Sequence, residues 1–172
     1  MPTKESGSLN LLWNGETWKK ILRYLEEANS EVCILFPWIT YDLLVDKIID
    51  LKKKNPALQI RVMTSIDADN DGHVKNIHRF DKAGVNVRTI YKPFPHAKVI
   101  CIDRKILVVG SMNASFTAAQ KNIECAILTS SKEACDCFCE EFDSMWRRAL
   151  LYGVNLSPNG FIIQKSCVAE PV

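Results

Sequence analysis

From Thr17 to Ala28 the apolar residues Trp18, Ile21, Leu22 and Leu25 recur at helical spacing, and Asn29-Ser30 breaks the run. The stretch from Glu31 to Phe36 then reads as a short buried strand ended by Pro37. The couplet repeats. Leu43, Leu44, Ile48 and Leu51 predict a helix over 41–54 that stops at Asn55-Pro56, and 58–64 alternates as a strand. A third helix is predicted over 72–83 with Gly84 as its C-terminal cap, followed by a strand over 85–91. Helix alternating with strand indicates an α/β fold with a largely parallel sheet in this half.

The pattern then changes. Three strand-like runs, 97–102, 106–109 and 123–129, come with little helix between them, and only Asp103-Arg104-Lys105 separates the first two. A tight antiparallel hairpin is the simplest reading. A long helix over 131–149 presents Cys135, Phe138, Cys139, Phe142, Met145, Trp146 and Ala149 on one side and packs back on the sheet. After Tyr152 no period is clear, so an irregular tail is expected over 153–172.

No linker divides the 172 residues, so one domain is expected over 1–172 with its core at about 9–150. Hydrophobic residues make up 47% and charged residues 24%, which excludes a disordered or fibrous chain. The charged first residues have no apolar run behind them, and no window approaches the ~18 apolar residues of a spanning helix. No signal peptide or membrane anchor is therefore expected, and the chain reads as intracellular and cytoplasmic. Seven irregularly spaced cysteines fit reduced thiols better than a disulfide framework. Cys135, Cys137 and Cys139 imitate a metal cluster, but on a helix Cys137 points away from the other two, so they read as core-helix residues.

Between His73 and Lys105, eight Lys/Arg face two Asp/Glu, while both flanks are net acidic. A basic segment in a near-neutral chain points to an anionic ligand. Within it, His96-Ala97-Lys98 opens a predicted strand, and period-two alternation puts the imidazole and the ammonium on one face. That pairing makes a phosphate site containing a titratable group. Asp103 has the opposite parity and reads as a structural carboxylate at the hairpin turn. Antiparallel pairing brings Gly110-Ser111-Met112-Asn113 beside His96 and Lys98, with the glycine letting backbone approach an anion and Ser111 and Asn113 supplying short donors. Glu124 stands among Ile123, Cys125, Ala126 and Ile127 and needs a partner, for which His96 is the candidate.

The series His96-x-Lys98-x4-Asp103-x6-Gly110-Ser111-x-Asn113 reproduces the HKD signature of the phospholipase D superfamily without a departure, six fixed residues over eighteen positions. The chain resembles the single-motif branch of that superfamily over about residues 9–150, and Glu124 sits where small bacterial endonucleases and Zucchini-type mitochondrial nucleases carry a glutamate. The resemblance implies a phospholipase D-like mixed sheet flanked by helices on both faces. It also implies a phosphodiesterase in which His96 attacks phosphorus to form a phosphohistidine and a second His96 protonates the leaving oxygen. Lys98, Ser111 and Asn113 would hold the nonbridging oxygens, Glu124 would orient the imidazole, and neither metal nor cofactor is needed. Such sites use two motifs and this chain has one: His73 is followed by Lys75 two residues later, but Phe80 stands where the Asp belongs and no Gly-Ser-x-Asn follows at the required spacing, and His78 has no Lys at that distance. A two-fold homodimer follows.

The basic segment favours a nuclease acting on DNA or RNA. A lipid substrate such as cardiolipin is the alternative and calls for an apolar docking patch, which the sequence does not clearly show. An inactive binding module is the third reading, opposed by the intact motif. Trp13, Trp18 and Trp146 read as core or interface residues, while Trp38 and Phe94, near strand ends, are candidate substrate contacts. Arg88, Lys92, Arg104, Lys105 and Lys121 are candidates for a backbone-binding groove. Asp67-x-Asp69-x-Asp71-Gly72 opens like a calcium loop, but His78 occupies the twelfth position, so an acidic loop capping the next helix is the better reading.

Overall fold

The computed structural model describes residues 7–65, 70–90, 92–157 and 160–165. In chain order the elements are β1 (Leu9–Trp13), α1 (Gly15–Glu26), β2 (Glu31–Phe36), α2 (Asp42–Lys54), β3 (Gln59–Ser65), α3 (Asp71–Lys82), β4 (Asn86–Ile90), β5 (Val99–Ile102), β6 (Ile106–Gly110), α4 (Phe116–Gln120), β7 (Cys125–Thr129), α5 (Lys132–Arg148), β8 (Leu150–Ser157) and β9 (Gly160–Lys165). The sheet order is β1-β7-β6-β5-β2-β3-β4-β8-β9. Among the described strands β2-β3 and β3-β4 pair parallel and the other pairs are antiparallel. The change of pattern in the sequence is thus the change from parallel to antiparallel within one mixed sheet.

Helices cover both faces because alternate strand residues are apolar on each side. On one face Trp18, Ile21 and Leu25 of α1, Leu44 and Ile48 of α2, Ile77 and Phe80 of α3 and Ala118 and Ala119 of α4 bury against Val32, Ile34, Ile60, Val62, Ile100 and Val108. On the other, α5 sets Cys135, Cys139 and Phe142 over Cys33, Leu35, Met63, Val99, Cys101 and Leu107. Cys137 is exposed on the far side of that helix. Cys33 and Cys101 are cross-strand partners beneath it, and the Cys139 and Cys101 Sγ atoms lie 3.6 Å apart. The thiols behave as small hydrophobes that fill a thin space between helix and sheet.

Local chemistry ends the elements where the sequence signals it. Gly84 adopts φ +76° after α3, its N–H donating to Asp81 O and the Val85 N–H to Phe80 O, which is a Schellman cap. In the β5–β6 turn Asp103 and Arg104 both have positive φ, and the Lys105 N–H donates to Ile102 O. The β-turn over 102–105 thus has both central residues in the left-handed region, which matches the twist of an antiparallel hairpin, and Lys105 is the third residue between the paired Ile102 and Ile106.

Four expectations change. β1 and α4 were not predicted. The tail expected to be irregular instead forms the β8–β9 hairpin, with Leu150 and Leu151 registered on Thr89 and Arg88 of β4. β5 begins at Val99 and β7 at Cys125, so His96, Lys98 and Glu124 precede their strands. Pro93 and Pro95, which lack an N–H, delay the start of β5. Asp67 and Asp69 of the acidic loop lie outside the described residues. The cap of α3 is Asn70, whose side chain accepts the His73 N–H at 3.1 Å.

Candidate active site

The C-terminal ends of β2, β3 and β4, the start of β5, the end of β6, the start of β7 and the end of β1 all reach one edge of the sheet. His96, Lys98, Ser111, Asn113 and Glu124 converge there, brought together by the β5–β6 and β6–β7 pairings. The ladder starts at Val99↔Val109, and the Gly110 N–H still donates to Lys98 O at 3.2 Å.

His96 is exposed and Lys98 buried. The Lys98 Nζ lies 3.1 Å from His96 Nδ1, 3.0 Å from His96 Nε2 and 2.7 Å from the His96 carbonyl oxygen. In-plane lone pairs of the two ring nitrogens diverge, so an ammonium equally near both cannot lie along either. It sits against the ring and leaves the outward nitrogen directions open. Burial holds the Lys98 pKa below the ordinary lysine value, and the charge of Glu124 partly opposes that shift.

Ser111 donates its hydroxyl proton to Glu124 Oε2 and accepts the Cys125 N–H at 3.2 Å. Asn122 Nδ2 donates to Glu124 Oε1 at 3.0 Å. The carboxylate of Glu124 is therefore held by Ser111 and Asn122, and His96 is not its partner within the chain. Asn14, with φ 51°, fixes the Glu124 backbone by accepting its N–H at 3.0 Å and donating to its carbonyl at 2.8 Å. Sequence reasoning missed Asn14 and Asn122; only the Asn-x-Glu spacing at 122–124 hinted at the second. The Asn113 Oδ1 is buried with no hydrogen-bond partner among the described residues. A buried orphan acceptor costs free energy, which makes it a candidate to receive a donor from a ligand.

Gly110 has a use in the sheet that the sequence did not show: a Cβ there would come within 2.5 Å of Cys125 O and 2.7 Å of the Ala126 Cβ, so the glycine lets β7 approach β6.

Asp103 lies at the opposite end of the hairpin. Its carboxylate accepts from the Asn29, Ser30 and Glu31 N–H groups and from Ser30 Oγ at 2.8–2.9 Å. Burial tends to raise its pKa, but the hydrogen bonds from Ser30, Glu31 and Asn29 outweigh that and lower it. Arg104 shares this end, bonded to Glu31 at 2.5 Å and to Asp143 at 3.1 Å, and Arg61 closes the ring on the same two carboxylates at 3.1 and 2.6 Å.

Of the five cations proposed for a groove, three are therefore elsewhere. Arg104 and Lys105 occupy the distal turn, and Arg88 donates to the Trp146 carbonyl and lies over the Trp146 ring. Lys92 is exposed and precedes Phe94 by two residues and His96 by four in the chain, and Lys121 lies 5.9 Å from the Phe116 ring in the loop before Glu124. Phe94 lies between Trp38 at 5.6 Å and His96 at 6.2 Å, forming an aromatic run to the imidazole. Trp18 is buried between Phe36 and Tyr41, while Trp146 stacks on Phe142.

Comparison with known proteins bears on the family and the fold. A family profile described as cardiolipin synthase, PLD-like domain, matches residues 21–146. The human mitochondrial cardiolipin hydrolase is 32% identical over 94 residues, which is 53% of this chain and 36% of that protein. The chain thus spans little more than a third of that relative's length. Among solved structures, NucT from Helicobacter pylori superposes with a TM-score of 0.77 at 17% identity, over 85% of this chain and 99% of that one. The phospholipase D family member Nuc from Salmonella typhimurium gives 0.74 at 18% identity, over 93% and 99%. At such identities the two structures show a shared fold.

Proposed function

The chain belongs to the phospholipase D-like family, and from that premise we propose that it is a nuclease, hydrolysing DNA or RNA phosphodiesters at a site completed by a second copy of itself. The observation that carries the reading is the open hairpin end, where an exposed imidazole lies against a buried ammonium. In the reaction His96 attacks phosphorus, the bond to the leaving oxygen breaks, and the partner's His96 protonates that oxygen. Water then displaces the histidine. Lys98, the Asn113 side-chain amide N–H and the Ser111 hydroxyl, once its proton turns from Glu124 to the ligand, hold the nonbridging oxygens through the transition state. Glu124 sets the direction of the Ser111 hydroxyl, and its role as the acceptor that orients an imidazole falls to the facing copy. Lys92, Lys121 and the Trp38–Phe94 pair supply cations and ring faces for a nucleic-acid strand.

A second copy has a surface to occupy. Leu9, Leu11 and Trp13 of β1, Ile127 of β7 and Val109 of β6 share the sheet face that α5 leaves open, and all are exposed. Val109 leads by period two to Ser111, so this apolar face is continuous with the half-site. Ile127→Arg is expected to yield monomers in sedimentation and to lose activity in proportion; an active monomer would remove the shared site.

A lipid phosphodiesterase is the second reading. Phe116 and Ile123, 57% and 85% exposed, rim the site and supply the apolar patch that was not legible in the sequence. Among the described residues no helix is long and apolar enough to cross a membrane. Wild type and His96→Ala incubated in chelator with single-stranded DNA, duplex DNA, RNA and cardiolipin vesicles separate the readings. Nucleic-acid cleavage by wild type that falls at least about 10³-fold in the variant is expected. Turnover of lipid alone would reverse the order, and loss of activity in chelator would overturn the mechanism.

A further inference from the structure

Four buried polar side chains that the mechanism leaves unused, Thr64, Ser65, His73 and Asn76, gather beneath the loop that joins β2 to α2. The Ile39 N–H donates to His73 Nδ1 at 3.1 Å, so that nitrogen carries no proton. The ring proton is therefore on Nε2, which faces two acceptors, Ser65 O at 3.4 Å and Thr64 Oγ1 at 3.5 Å. Thr64 passes its own proton to Pro37 O at 3.1 Å, and Ser65 Oγ donates to the same carbonyl at 2.5 Å. Asn76 holds the other side of Ile39. Arg79, which has only donors, meets Asn76 Oδ1 at 3.0 Å, and this turns Asn76 Nδ2 toward Ile39 O at 3.3 Å.

One turn of α3 thus grips both the N–H and the C=O of a single loop residue. That loop forms two walls of the site. Trp38 packs on Phe94 and through it reaches His96. On the other side Ile39 bridges Ala114, and the Thr40 N–H donates to Ala114 O at 2.7 Å, next to Asn113. A loop touching both groups of site residues cannot shift without changing their separation.

We infer that His73 and Asn76 are positioning residues of the phosphodiester site, clamping Ile39 so that the loop 37–40 holds the Trp38–Phe94–His96 side and the Asn113 side in register. The inference rests on the phosphodiesterase reading above. It requires His73 to act as an acceptor through Nδ1, a role that asparagine reproduces in place and glutamine does not. His73→Ala and His73→Gln are expected to lower kcat on bis(p-nitrophenyl) phosphate by ~10- to 100-fold with little change in KM. His73→Asn keeps kcat within about threefold, because a side-chain oxygen again accepts the Ile39 N–H. Amide exchange over 37–41 rises about five- to tenfold in the alanine and glutamine variants and returns toward wild type in the asparagine variant. Asn76→Asp, nearly isosteric but without the donor, repeats both effects if the alanine variant does not fold. Equal activity in all variants, or equal loss in asparagine and glutamine, would overturn the inference while leaving the phosphodiesterase reading intact. Wild type without turnover of this diester or of any substrate above would overturn that reading, and the inference with it.

Discussion

The two ends of the β5–β6 hairpin carry the same kinds of residue in opposite states. At the turn Asp103 has four donors, and Arg104 and Arg61 share Glu31 and Asp143 in a closed ring. At the open end Lys98 presses on another nitrogen base, His96 is exposed, and the Asn113 oxygen is buried without a partner among the described residues. Charges that satisfy one another stabilise a fold. Groups left short of partners have capacity for a ligand, at some cost in stability. The three residues that name the motif thus stand at two ends of the hairpin, although only seven positions separate His96 from Asp103.

Substitution at the two ends sharpens this contrast. Lys98→Met should lower turnover on the order of 10²- to 10³-fold, the loss typical of a donor that stabilises developing charge. The urea midpoint should hold or rise, since an ammonium is removed from a buried place. A large fall in stability without loss of turnover would place Lys98 with the turn residues. Because its pKa is lowered, the alkaline limb of wild-type kcat should lie below the range of an ordinary lysine and be absent in the variant.

Asp103→Asn should do the reverse, costing about 2–3 kcal/mol of stability while turnover per folded molecule changes little. The folded carboxyl has a lowered pKa, so its contribution is complete above the unfolded aspartate value of about 3.9 and disappears as pH falls through the folded one. Urea midpoints measured from neutral to acid pH should fall less steeply in the variant. Parallel curves would mean that the four donors stabilise the carboxylate no better than water does.

How much of this was legible depends on range. β2, α2, β3, α3 and α5 announced themselves because a full stripe or run points at the core, and the β5–β6 hairpin followed from a three-residue gap between apolar runs. β1 gave no alternation to the eye, since Leu9, Leu11 and Trp13 face outward while Leu12 is its buried residue. α4 has only five residues, too few to show a period. The convergence of His96 with Ser111 needed only one hairpin. The partners of Glu124, Arg88 and Arg104 were different, because Asn14, Trp146, Glu31 and Asp143 lie 39 to 110 residues away in the chain. A basic stretch in sequence consequently became several separate surfaces in space.

That dispersal gives the smallest and most discriminating prediction. If the open end alone meets the strand, Lys121→Gln should lower the salt-dependence slope of nucleic-acid binding by about one, the effect of a single lost phosphate contact. Lys105→Gln removes the same charge from the distal turn and should leave the slope unchanged. Both are read by anisotropy of labelled single-stranded DNA on His96→Ala protein between about 50 and 200 mM salt, so that cleavage does not intrude. Net charge falls equally in the two variants, and a general electrostatic attraction would therefore move them together. An equal fall in both slopes would extend the binding surface to the turn and end its separation from the chemistry; a difference would show that the nucleic acid reads where a charge stands on the molecule and not its net charge.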